Sequence, residues 1–98
     1  MKTPEIFFRV IGDSGPLSIY WYPGPYGDAV EAIKGNGVGW FAPNGELLGV
    51  EFDDVRAARD HELLEFKSGI SVEVFIKKSK VRVHLYRPQS RNRKAASG

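Results

Sequence analysis

The chain predicts a small α+β domain: a mainly antiparallel sheet of about six or seven strands built from three hairpins, with one helix between the second and third. Three observations lead there. Alternating apolar runs such as "EIFFRVI", "LSIYWY" and "SVEVFIKKSKVRVHLYR" have the period of strands. They are separated by turn-forming clusters, "GDSGP", "PGPYG" and "APNG". An aspartate pair, Asp53 and Asp54, stands before a stretch with an apolar stripe of helical spacing, where a carboxylate caps a helix well.

Ninety-eight residues with 42% apolar and 27% charged content suit one globular core. One domain over residues 1–87 is expected, followed by a disordered basic tail over 88–98, "PQSRNRKAASG", too polar and small to pack. The absence of cysteine removes disulfides, thiolate metal sites and a cysteine nucleophile. No apolar run approaches the length of a membrane span, and Arg9 interrupts the short apolar stretch near the start, unlike a secretory signal. A soluble cytoplasmic protein with no membrane partner is the expectation.

The net charge of +2 hides an asymmetry. Residues 1–66 hold five Lys/Arg against eleven Asp/Glu, whereas residues 67–98 hold nine against Glu73 alone. Such polarity points to a polyanionic partner or to attraction between copies, beside the plainer reading of a solvated charged face.

In the first hairpin, pairing Val10 with Leu17 brings Phe8 to Ile19 and Ile6 to Trp21, with all six apolar side chains on one face. Phe7, Arg9, Ser18 and Tyr20 then share the other. "DAVEAIKG" allows a short helix, capped by Asp28 and stopped at Gly35, or a strand.

"GNGVGWFAPNGELLGVEFDD" holds five glycines, yet Trp40 stands where a dinucleotide fingerprint needs its third glycine, and no Gly-Lys-Ser/Thr closes the loop. "APNG" instead has turn chemistry: Pro43 presets φ, Asn44 suits the second central position, and Gly45 takes the left-handed conformation. Closure at Ala42 and Glu46 pairs Trp40 with Leu48 and Val38 with Val50, and sets Gly39 across from Gly49. Facing glycines leave a notch that a ring, the following helix or a neighbouring chain could fill. The predicted helix runs from Val55 to about Phe66. In the last hairpin, Ile76 pairs with Val81, Val74 with Val83 and Val72 with Leu85. Its opposite face receives Phe75 beside Arg82, Glu73 beside His84 and Ser71 beside Tyr86.

The stretch Pro25 to Val55 resembles a small uncharacterised prokaryotic domain family with a Pro-x-x-Asp-Ala strand followed by a Gly-x-x-x-Gly-Ile-Glu hairpin. Pro25, Asp28 and Ala29, then Gly45, Gly49, Val50 and Glu51, carry the likeness. The spacer between the halves is shorter than is usual in that family, and the flanking hairpins have no counterpart in it. The resemblance implies a strand after Asp28 and no particular activity.

The residues argue against an enzyme. Helix capping accounts for Asp53 and Asp54, His61 and His84 lie in separate elements without a metal-ligand spacing, and no serine sits in a nucleophile elbow. No cofactor or metal is expected. Glu73 with His84 reads as a cross-strand ion pair. The leading expectation is a small interaction module that forms a homodimer or pairs with another protein. The alternative is single-stranded nucleic-acid binding through Phe75, Lys77, Lys80, Arg82, His84, Tyr86 and Arg87, helped by Arg91, Arg93 and Lys94 of the tail.

Overall fold

The computed structural model describes residues 3–24 and 26–88. The strands are β1 Glu5–Phe8, β2 Ser14–Tyr20, β3 Asp28–Glu31, β4 Gly37–Phe41, β5 Leu47–Arg56, β6 Arg59–Glu65, β7 Ser71–Lys77 and β8 Lys80–Tyr86. They form a five-stranded sheet in the order β1-β2-β5-β4-β3 and a three-stranded sheet β6-β7-β8, with antiparallel pairing throughout. The fold is all-β, with no helix among the described residues, which corrects the α+β expectation.

The predicted helix fails for a physical reason. Asp53 and Asp54 belong to β5, and the Asp53 N–H donates to the carbonyl of Asn36 at 3.0 Å instead of opening a helix. Val55 closes over Gly15 of β2 and is fully buried. Beyond a corner at Ala57 and Ala58, Leu64 and Phe66 point inward two residues apart, as a strand requires. Asp60 serves the corner, accepting the N–H of Arg56 at 2.9 Å and of His61 at 2.8 Å. Pairing along the whole of β7 outweighs the helical leaning of a short charged segment.

Both sheets feed one core. Leu17, Ile19, Val50, Phe52 and Val55 come from the larger sheet, and Leu64, Val72, Val74 and Ile76 from the smaller. Phe41 and Phe66, also within that core, meet edge to face with centroids 5.2 Å apart. Main-chain hydrogen bonds tie the sheets at two places. At the corner, Ala57 donates to Asp13 while Ala57 and Ala58 accept from Ser79 and Lys78. At a seam elsewhere, Lys34 and Glu65 form a bridge, joined by Ile33 N–H donating to Glu65 at 2.7 Å. Gly35 (φ +91°) lies against the Leu63 carbonyl with no room for a Cβ, so this part of the glycine-rich stretch lets two chain segments touch and cradles nothing.

The registers differ instructively. The first hairpin turns at Gly12 and Asp13, so Phe8 pairs with Leu17 and Ile6 with Ile19, two residues from the expected register. A slip of two keeps every side chain on its own face. In the second hairpin a bulge between Trp40 and Phe41 puts Gly39 opposite Val50 and Gly49 opposite Trp40, so the two glycines do not face each other. β7 and β8 pair in the expected register throughout, across a Lys78–Ser79 turn with positive φ at both residues. Asp28–Glu31 is a strand.

Candidate functional site

The outward face of β6-β7-β8 is a grid of four rows. Cross-strand register sets Arg59, Lys77 and Lys80 in the first and His61, Phe75 and Arg82 in the second. Leu63, Glu73 and His84 make the third, and Glu65, Ser71 and Tyr86 the fourth. The face therefore grades from three cations at the β7–β8 turn to a carboxylate at its far end.

Aromatic contact runs through the grid. His61 stacks on Phe75 with centroids 4.5 Å apart and planes at 14°. His84 meets the same ring edge-on at 5.8 Å and lies nearly parallel to Tyr86 at 6.3 Å. The guanidinium of Arg82 stands 5.8 Å from the Phe75 centroid, within cation–π range.

Glu73 organises the lower half. It accepts from His61 Nε2 at 2.6 Å and from the Tyr86 hydroxyl at 3.0 Å, so the expected ion pair with His84 is replaced by one with His61. The hydrogen bond from His61 and then that from Tyr86 hold its carboxyl below the ordinary range. Tyr86 is pushed up by the same bond, because its proton is engaged.

A groove continues the basic row around the corner. Arg56, Arg59, Lys77, Lys78, Lys80 and Arg82 line it, with Asp13 and Asp60 the acids. The ion pairs among the described residues are His61–Glu73 and Arg87–Glu46, so none of these six cations is neutralised at salt-bridge distance. Burial raises the Asp60 carboxyl, but the N–H groups of Arg56 and His61, together with the Glu62 side chain and the Arg56 charge, outweigh it and leave Asp60 below its ordinary value. Glu62, next but one on the strand, is pushed up by burial and by Asp60.

Phe75, Lys77, Lys80, Arg82, His84 and Tyr86 are thus brought together on one face. Arg87 is not: its Nη2 donates to Glu46 Oε2 at 3.3 Å, toward the β4–β5 turn. Arg91, Arg93 and Lys94 lie outside the described residues, as does all of the expected tail except Pro88. His61, Arg56, Arg59 and Lys78 complete the surface and were not expected there, since the first three fell at or within the predicted helix. No alternation in "HELLEF" marks His61 as a strand residue, since the adjacent Leu63 and Leu64 put apolar side chains on both faces.

The predicted turn and notch occupy other ground. Gly45 has φ +90° and donates to Ala42 at 2.8 Å behind Pro43, and Asn44 Oδ1 accepts the Glu46 N–H at 3.0 Å. The Phe66 ring covers Gly39 and the Tyr20 ring covers Gly49, so each glycine is filled from within the chain.

No protein-family model matches this chain, and neither the curated proteins nor the solved structures provide a match. The likeness of residues 25–55 to a small family rests on those residues alone. No helix among the described residues is long and apolar enough to cross a membrane, and no group of three or more His, Asp or Glu among them is placed to hold a metal.

Proposed function

We propose that the protein binds single-stranded nucleic acid on the outward face of β6-β7-β8. One observation carries this reading: a set of touching rings, His61, Phe75, His84 and Tyr86, runs directly into a groove lined by six cations. Bases present flat π-faces whatever their sequence, and phosphates seek unneutralised Lys and Arg, so a stacking platform beside a basic track suits a single strand. Duplex recognition is less well served, since the face is a sheet with no projecting helix or ribbon to enter a groove. The reading of a cytoplasmic setting accompanies this proposal, supported by the cysteine-free composition.

Fluorescence anisotropy with a labelled single-stranded oligonucleotide, repeated over a salt series, tests it. Affinity should fall steeply with salt as counterions are released. Phe75→Ala should cost about 1–3 kcal/mol with little change in the salt slope, whereas Lys77→Ala with Lys80→Ala should flatten the slope. Circular dichroism of each variant verifies that it is folded. If removal of 88–98 abolishes binding while Phe75→Ala leaves it intact, a polycationic tail is responsible and the proposal fails.

A further inference from the structure

We propose that two copies of this chain join edge to edge through β1, around a two-fold axis at Phe7, making one continuous sheet. β1 is an outer strand of the larger sheet, and the apolar residues around it stand in solvent: Phe7 is 55% exposed and Ile11 78%. The main-chain geometry decides which groups are free. Arg9 N–H donates to Pro16 and Ile11 N–H to Ser14, so the odd-numbered residues of this strand turn their hydrogen bonds toward β2. Ile6 and Phe8 therefore present N–H and C=O groups to the open edge.

An antiparallel second copy can use those groups only if even-numbered residues pair with even. Three registers satisfy this within the strand, centred on Ile6, Phe7 or Phe8. Centring on Phe7 pairs Ile6 with Phe8 of the second copy and, on the outward face, Glu5 with Arg9. Moving the centre to Ile6 sets Glu5 against Phe7 and Arg9 against Thr3; moving it to Phe8 sets Glu5 against Ile11 and Phe7 against Arg9. Only the Phe7 register meets each charge with its opposite. That complementarity selects a second copy of "EIFFR" over an unrelated strand, because reversing the segment exchanges its negative and positive ends and makes it charge-complementary to itself.

The same register extends an existing feature. Phe7 touches Tyr20 and Tyr20 touches Trp40, each pair 6.0 Å between centroids, forming an aromatic row across the outward face of the larger sheet. At a Phe7-centred axis the two phenylalanines form a non-hydrogen-bonded pair, the closer kind, and the rows meet.

Sedimentation equilibrium of the full chain without nucleic acid should show a monomer–dimer equilibrium. Glu5→Arg and Arg9→Glu should each weaken it about tenfold, by replacing two attractive cross-strand pairs with two repulsive ones, and the two changes together should restore it. A Phe7→Cys variant, the sole cysteine of its chain, should form a disulfide-linked dimer on mild oxidation, since the Cα atoms of such a pair lie about 4.5 Å apart. A monomer at every concentration overturns the proposal. So does a dimer that ignores the charge changes, or single variants that the double change fails to rescue.

Discussion

The imidazole of His61 lies on the ring of Phe75, tilted by 14°, while its Nε2 is held by Glu73 at 2.6 Å. A ring fixed at both face and edge sits in its neighbour's ring current. The carbon-bound ring protons of His61 should therefore resonate upfield of an exposed histidine's, and Phe75→Leu should return them. Proton NMR of the two proteins decides it; unchanged shifts would dismiss the stack.

Tyr86 shares Glu73 with His61. Because the carboxylate accepts the phenol's proton, ionisation of Tyr86 is displaced above its ordinary value of 10.0. Glu73→Gln should bring the ultraviolet titration of that phenol down toward the ordinary value, and an unmoved curve would mean the bond is absent in solution.

Glu73 and Glu62 respond oppositely to acid. The carboxyl of Glu73 is lowered in the fold, so its contribution is present above the ordinary value of 4.5 and is lost as pH falls through the lower folded value. Glu62 is raised, so its charged form costs stability at neutral pH and protonation removes that cost. Glu62→Gln should raise Tm at pH 7, with the gain fading as pH falls through the raised folded value toward 4.5 and gone below it. Glu73→Gln should lower Tm at pH 7 and converge with the parent in acid.

Two glycines should fail for different reasons. Gly45 has nothing within 4 Å of a built Cβ, so Gly45→Val is charged only for its positive φ, about 1–2 kcal/mol. At Gly39 a Cβ would stand 2.7 Å from Phe66 Cζ, so Gly39→Ala overpacks the core by about 1–3 kcal/mol. Combining each with Phe66→Leu separates them by denaturant melts: Gly39→Ala should couple to Phe66, and Gly45→Val should add independently.

The third hairpin was fully legible because both its strands alternate cleanly and run to within two residues of each other, so that the two-residue turn, and not the alternation, sets the register. The first hairpin was legible only to within two residues, since a period of two cannot choose between registers that preserve the faces. The helix was misread because Asp53, Asp54 and a Leu- and Glu-rich stretch satisfy helix rules locally, while the partner that makes β6 a strand, β7, comes later in the chain. The same misreading hid His61 and the corner arginines. The division into two sheets was not legible at all, because it depends on main-chain bonds from Ala57 and Ala58 to two distant turns. Of the candidate face, the columns on β7 and β8 could be read in advance and the column on β6 could not.

The seam between Lys34 and Glu65 carries a kinetic consequence. β6, β7 and β8 are chain neighbours and can assemble on their own, as can β4 with β5, whereas β2 meets β5 only after the chain between them is looped out. The seam joins the two sheets and gains its partners only when both exist, so loop-closure entropy places it late in folding. In pulse-labelling hydrogen exchange, the amides of Ile33 and Glu65 should acquire protection after those of Val72 and Val74, and in the folded protein they should be among the first to open.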